Sequence, residues 1–339
     1  MWTGISFALG AGLMWGLVFV APLLLADYPA ALLVVGRYLA FGLIALPLAL
    51  LDYRPLRQLR RSDWLEACKL SAIGNFLYYL CLAAAIQRAG GPLPTVIIGT
   101  LPVVIAISSN WRSHRSDSSG RSGEGRLRWR SLAPSLLLIG AGIACVNQVE
   151  LTAAGGSSPV ELRRYAEGAL LALAAVACWT WYPLRNAAWL RAHCDTHSNR
   201  SPRVWATAQG LVTLPMALLG LALLSGLQQL GLPPLAPGFE LPLGPRPLAF
   251  AGLMLAVGLF ASWLGTLCWN EASQRLPTHL VGQLIVFETL AALGYAFALS
   301  RRQPQALTLL GIALLVAGVL WALRVKPQPA GPGPPSASV

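Results

Sequence analysis

Two ionisable side chains stand deep inside long apolar runs of this 339-residue chain: Arg37 in AALLVVGRYLAFG and Glu288 in LIVFETLAAL. An unpaired charge at the centre of a bilayer costs at least about 2.5–3.5 kcal/mol, so each must find a partner, water or an interface. Being opposite in sign, they suit a structural ion pair that fixes helix packing. They equally suit a site that meets a charged solute or hands over a proton. The residues alone leave both readings open.

Other polar and aromatic side chains fall at helical spacing. Asn75, Tyr78 and Tyr79 stand at i, i+3 and i+4 and share one helix face. Trp263 and Asn270 share a face seven residues apart, and Trp179 with Tyr182 three apart. With Trp15 and Gln283, these residues and the two charges form the candidate cavity. Converging on a bundle centre, they would hold a small amphipathic solute by stacking, hydrogen bonds and cation–π contact. The competing reading is ordinary packing and interfacial belts, where Trp and Tyr are favoured anyway.

Enzyme chemistry finds little support. The chain has no HExxH, no P-loop and no Gly-x-Ser-x-Gly elbow. GRSGEG (120–125) lacks the strand and helix of a phosphate loop and reads as linker. His193 and His197 in HCDTH would need a helical setting to hold a metal, and read as solvated loop. The six Cys form no CxxC, most lie in apolar runs, and they read as small core residues. The expectation is a non-enzyme without cofactor or metal.

The elements that must position these residues follow from composition. Hydrophobic residues make up 55% and charged ones 11%, with a mean hydropathy of +0.59, about half the charge of a soluble domain. Ten apolar runs are long enough to cross a ~30 Å hydrocarbon core as helices. They fall near 3–25, 29–51, 65–87, 93–110, 131–149, 166–186, 203–225, 248–270, 278–299 and 304–324. The ~10-residue alternating segments of a membrane barrel are absent. The first run is preceded by no Lys or Arg and exceeds a signal h-region, so it is expected to remain as helix 1. Longer connections are expected at 111–130, 187–202 and 226–247; the first is Ser/Gly/Arg-rich.

The net charge of +12 does not indicate nucleic acid, because its distribution follows topology. By the ten-span count, alternate loops and the tail hold seventeen Lys and Arg and the opposite loops six, while Arg37 and Lys69 lie within spans. That asymmetry obeys the positive-inside rule and puts both termini in the cytoplasm.

The chain also repeats itself. GLIALPLALL (42–51) returns as GLVTLPMALL (210–219), Gly4 and Trp15 as Gly168 and Trp179, CLAAAIQR (81–88) as CWNEASQR (268–275), and AGI (141–143) faintly as AGV (317–319). Helices 1–5 and 6–10 thus read as two copies of one unit. Five crossings is odd, so the second copy enters from the opposite face. The expected fold is an all-α integral membrane protein of ten transmembrane helices in two inverted five-helix repeats, 1–150 and 165–326, with a disordered tail at 327–339. Many secondary transporters alternate access around a midplane site with such repeats.

LPVV (101–104), LIVFETL (284–290) and GIALLVAGV (311–319) resemble the EamA family of the drug/metabolite transporter superfamily. GLMWGL (12–17), GRYLAFGLIALP (36–47), IIGTLPVV (97–104), WATAQ (205–209), GPRPL (244–248) and LIVFETLA (284–291) are similar to a bacterial inner-membrane member of that family, over about residues 1–326. The resemblance implies a secondary transporter in the bacterial inner membrane, not driven by ATP. It would move a small organic metabolite or drug-like solute, amphipathic or amino-acid-like, with proton coupling as an option. The lipid bilayer is its other partner, and no oligomeric state follows. The alternative is a membrane-embedded enzyme or sensor that keeps the fold without carrying a solute.

The topology is directly testable. A cysteine placed at Ser118, with the six natural cysteines replaced, should be shielded from an impermeant thiol reagent in intact cells. Ready labelling would overturn the assignment.

Overall fold

The computed structural model describes residues 1–102, 104–105, 108, 129–153, 159–193, 201–233, 235, 239–277, 280–281, 284–300 and 304–324. Among these, regular structure is helical throughout, as a bilayer demands of backbone groups that find no water. In chain order the longer helices are α1 (Trp2–Leu24), α2 (Ala30–Leu51), α3 (Arg61–Ala89), α4 (Pro92–Ile98), α5 (Trp129–Ala153), α6 (Pro159–His193), α7 (Pro202–Gln229), α8 (Pro247–Arg275), α9 (Val286–Ser300) and α10 (Ala306–Arg324), with one turn of helix, Tyr53–Leu56, between α2 and α3. Six of them, α1, α2, α3, α6, α7 and α8, are long and apolar enough to cross a membrane. Shorter apolar stretches lie in α5, α9 and α10.

Several boundaries differ from the hydropathy reading. Helix α6 runs 35 residues, well past the expected 166–186 at both ends, so 187–193 is helix and not loop. Hydropathy marks the stretch in hydrocarbon; the helix continues into water, held there by pairs such as Arg163–Glu167 at i,i+4, 3.0 Å apart. For the same reason α7 continues to Gln229, α8 to Arg275 and α5 begins at Trp129. The expected run 93–110 is broken: α4 ends at Ile98, and a turn at Gly99–Thr100 precedes Pro102, whose ring and missing N–H oppose a continuous helix through that point. Most of the loop 111–130, including GRSGEG, together with residues 194–197 of HCDTH and Gln283, lies outside the described residues.

Local signals set the starts. Pro stands in the first turn of α7 and α8, where its missing N–H costs nothing. Ser201 Oγ accepts from the Val204 N–H at 3.3 Å, and Asp63 Oδ2 accepts from the Arg60 N–H at 2.8 Å at the start of α3.

Close glycine contacts recur at positions that the sequence echoes match. On α2 and α7, a Cβ built at Gly42 would lie 2.6 Å from Leu214 Cβ, and one at Gly210 2.7 Å from Ala45 Cβ. Gly142 of α5 sits 2.6 Å by the same measure from Gly311 O, and Gly318 of α10 sits 2.9 Å from Ser135 O. Gly4 seats against Arg275 and Leu276, and Gly168 against Ala85 and Ala89. Both α3 and α8 contain a π-helical stretch, Ser71–Leu77 and Val257–Leu264. These coincide within a residue at the spacing that relates CLAAAIQR to CWNEASQR. Leu43, Leu50, Leu218, Leu219 and Leu248 face outward, the surface that a bilayer covers.

The bundle has two ends. At the end that the loop charges lead one to expect inside meet Asp52, Asp63 and Glu66 with Arg203, Trp189 and Arg185. At the opposite end, expected outside, meet Asp27 and Tyr28 with Arg246 and Leu243, and Arg88 with Glu167.

Gly12 and Gly16, the GxxxG of α1, lie directly on the backbone of Phe287–Ala292. A Cβ at Gly16 would approach Ala291 Cβ to 2.7 Å, whereas one at Gly10 meets nothing within 4 Å. Gly16→Ala should therefore lower the melting temperature of the purified protein by the equivalent of about 1–3 kcal/mol. Gly10→Ala should be neutral or stabilising by up to about 1 kcal/mol. Equal effects in the two variants would contradict the packing.

Candidate functional site

Helices α1, α3, α6 and α9 carry an aromatic chamber around Glu288. Its carboxylate is 1% exposed, and Oε1 accepts from the Tyr78 hydroxyl at 3.3 Å. Tyr78 stacks on Trp179 at 4.6 Å between ring centres, and Trp179 stacks on Tyr182 at 5.0 Å. Trp15 meets Trp179 edge-on at 4.9 Å and Trp269 at 5.0 Å. Trp15 and Trp179, which stand at the same place in the sequence echo, thus touch. Gly265 leaves room for the Trp15 indole, since a Cβ there would lie 2.7 Å from its Nε1. Gly74 likewise admits the Tyr182 ring.

Arg37 enters from α2 and is 5% exposed. Its Nε donates to Ser262 Oγ at 2.9 Å, and the guanidinium lies over Tyr79 at 4.5 Å and Tyr38 at 5.0 Å. Ser262 belongs to the π-helical stretch of α8, and such stretches, with their displaced backbone bonds, occur frequently at functional sites. Arg37 and Glu288 form no ion pair with one another; each is met by hydroxyls and rings instead. Buried polar atoms without a hydrogen-bond partner gather here, Arg37 Nη1, Glu288 Oε2 and Tyr38 Oη, with the Trp179 indole beside the carboxylate. Such atoms are costly in a folded interior unless something else meets them.

Asn270 goes elsewhere. It does not join Glu288 but sits, fully buried, in an amide cluster between the chamber and the inner end. Its Oδ1 accepts from Asn186 Nδ2 at 2.8 Å. Asn186 Oδ1 accepts from Trp205 Nε1 at 2.8 Å and Gln209 Nε2 at 3.2 Å, and Gln209 Oε1 accepts from Tyr182 at 2.8 Å. Trp263, on the π-helical stretch Val257–Leu264, is half-buried, whereas Asn270 is fully buried. In α3 the corresponding stretch ends just before Tyr78. Asn75 and Tyr79 are buried with Tyr78, but Tyr79 donates to the Val18 carbonyl at 3.5 Å instead of turning to Glu288. His193 caps the other end of this region: it stacks on Trp189 at 4.8 Å, with Nδ1 3.0 Å from the Trp189 carbonyl.

The outer end opens as a cavity of about 430 Å³ lined by Asp27, Tyr28, Gln87, Arg88, Arg164 and Glu167 among others. The Arg246 guanidinium beside Asp27 holds its carboxyl below the usual carboxylate range. This contact is therefore intact at neutral pH and weakens only as pH falls through that lowered value.

Sequence reasoning missed Ser262, Asn186, Gln209 and Trp205. WATAQ and the Asn in a Trp/Tyr-rich run were visible, but only the fold brings α6, α7 and α8 together around them.

Residues 2–116 match the EamA-like transporter family. Over 328 residues the chain is 52% identical to the inner membrane protein YtfF of Escherichia coli (strain K12), covering 97% of each chain. A solved crystal structure superposes with a TM-score of 0.63 at 17% identity, covering 94% of this chain and 96% of that one, which shows a shared fold.

Ser262→Ala would strip Arg37 Nε of its acceptor and should cost about 1–3 kcal/mol in thermal unfolding. Ser262→Thr, which keeps the hydroxyl, should recover most of that. An unaltered melting temperature in Ser262→Ala would show that the guanidinium is held by the tyrosine rings alone.

Proposed function

The chain belongs to the EamA-like transporter family, and on that premise we propose that it is a secondary transporter exporting a small organic metabolite or drug-like solute across the inner membrane. Alternating access runs around the chamber of Arg37 and Glu288. Support comes chiefly from the unpartnered Arg37 Nη1 and Glu288 Oε2, buried between helices of both repeats and ringed by Trp15, Tyr78 and Trp179. A solute with its own donors and acceptors would satisfy those atoms, and its apolar part would lie against the rings. Asn75, Tyr79, Tyr182, Trp263 and Gln283 complete the candidate cavity; Asn270 serves it from the amide cluster.

The architecture belongs to the same proposal. Two five-helix units, 1–150 and 165–326, are related by inversion, and the tail 327–339 follows. Reciprocal glycine seats at Gly42/Gly210 and Gly142/Gly318, and the paired π-helical stretches, support that reading. The distribution of arginine among the loops supports an inner end and both termini in the cytoplasm. The solute, amphipathic or amino-acid-like, and the bilayer are the partners, and Glu288 is the group that would carry a coupled proton.

Comparing metabolites inside and outside cells with and without the gene identifies the solute, and its labelled form can then be followed in proteoliposomes. Glu288→Gln keeps the shape of the side chain and removes its charge. Transport should fall at least about tenfold, an effect of about 1.4 kcal/mol, and lose its pH dependence while the protein stays folded in detergent. If instead yield and melting temperature drop and Arg37→Gln in addition restores them, the pair is structural. Unchanged transport and stability would remove Glu288 from the site.

A further inference from the structure

The amide cluster lies off the chamber, yet an unbroken chain of contacts joins the two. Glu288 is bonded to Tyr78, Tyr78 stacks on Trp179, Trp179 on Tyr182, and the Tyr182 hydroxyl donates to Gln209, which is bonded to Asn186. A second route runs from Asn270 through its neighbour Trp269 to Trp15 and so to Trp179. Asn186, Gln209 and Asn270 are fully buried. Asn186 bonds to three side chains at once, from α7 and α8, and the Asn270 amide reaches the Pro202 carbonyl at 3.3 Å, while Ser71 of α3 donates to the Gln209 carbonyl at 3.4 Å. Four helices are thereby tied together beneath the chamber.

Among the described residues the outer end is joined differently, by Gln87 to the Tyr28 carbonyl, Tyr28 to Leu243 and Arg246, and Arg246 to Asp27. By the repeat spacings that match Trp15 to Trp179, GLIALPLALL to GLVTLPMALL and CLAAAIQR to CWNEASQR, the counterparts of Asn186, Gln209 and Asn270 are Pro22, Phe41 and Ala83. None carries a side-chain hydrogen-bonding group. Beside the cluster, Trp269 and Ser273 line a cleft of about 10 Å³, room for at most one water.

We propose that Asn186 and Gln209 are positioning residues: they hold Tyr182, and through Tyr182 and Trp179 the ring that faces Glu288, so that closure of the inner end is coupled to what occupies the Glu288 carboxylate. The cluster is a hydrogen-bonded latch at the inner end, and breaking it favours opening there. Because buried amides must all be satisfied or none, displacing the Tyr182 hydroxyl removes a bond from Gln209 and weakens the latch as a unit. The proposal rests on the chamber's being the transport site.

The test reads access, not transport, in full-length protein in nanodiscs, where both faces meet the reagent. With the six natural cysteines replaced, single cysteines at Ser273, in the inner cleft, and at Ala26, on the outer cavity, are labelled with an impermeant maleimide. Asn186→Leu, which keeps bulk and loses the amide, should speed labelling at Ser273→Cys by about tenfold, the factor corresponding to about 1.4 kcal/mol. It should slow labelling at Ala26→Cys in the same preparation. Opposite changes mark a shift between access states; a rise at both positions marks a loosened fold and overturns the proposal, as does no change at either. Gln209→Met gives the same reading if Asn186→Leu does not fold. Glu288→Gln should shift the Ser273→Cys rate, and Tyr182→Phe, which keeps the ring but drops the bond to Gln209, should abolish that shift. A shift that survives Tyr182→Phe overturns the coupling route. Loss of transport in Glu288→Gln with no labelling change leaves the transport reading standing and removes the latch.

Discussion

Helices in hydrocarbon gain almost nothing from the hydrophobic effect by touching one another, because lipid tails are as apolar as leucine. Association must come from close backbone approach and from polar bonds between helices, and the bundle uses both in different places. Glycines bring α1 onto α9, α2 onto α7 and α5 onto α10 until a single added methyl would collide with a neighbour. Between the charged ends, most polar side chains of the apolar helices turn inward, where each unsatisfied group is expensive. The outward surface is left to leucine.

That division explains the contrast between the chamber and the cluster below it. Around Asn186 the amides and indoles satisfy one another. Around Glu288 they do not: carboxylate, guanidinium and hydroxyl atoms remain unpartnered within a shell of rings. The fold completes its polar bonds in one layer and leaves them incomplete in the next, which is the layer proposed to bind the solute. The two are mechanically continuous, because Trp179 and Tyr182, one turn apart on α6, stack on each other and reach into both.

Arg37 shows how a charge is kept in such an interior without an opposite charge in contact. Two tyrosine rings and one serine hydroxyl surround it. Ser262 lies on a π-helical stretch, and a register slip of that kind is set by packing against neighbours, not by any residue pattern local to the stretch. This is why the sequence pointed to a partnership of Arg37 with Glu288, the only obvious counter-charge, and missed the serine.

Composition, run length and the internal echoes already determined that the chain is a bundle of apolar helices with its charges at the ends, since burial in lipid leaves few other solutions for the backbone. They also singled out Trp15, Arg37, Tyr78, Trp179 and Glu288, because polar and aromatic groups in a long apolar run are conspicuous. Which of these meet was decided by the tertiary structure alone. Asn270 left the chamber for the amide cluster, Tyr79 turned under Arg37, and Asn186 and Gln209 gained a role that no spacing within one helix could reveal. The physical reason is that contacts between helices depend on rotation and register, and these are fixed where glycine seats and π-helical turns from distant parts of the chain come together.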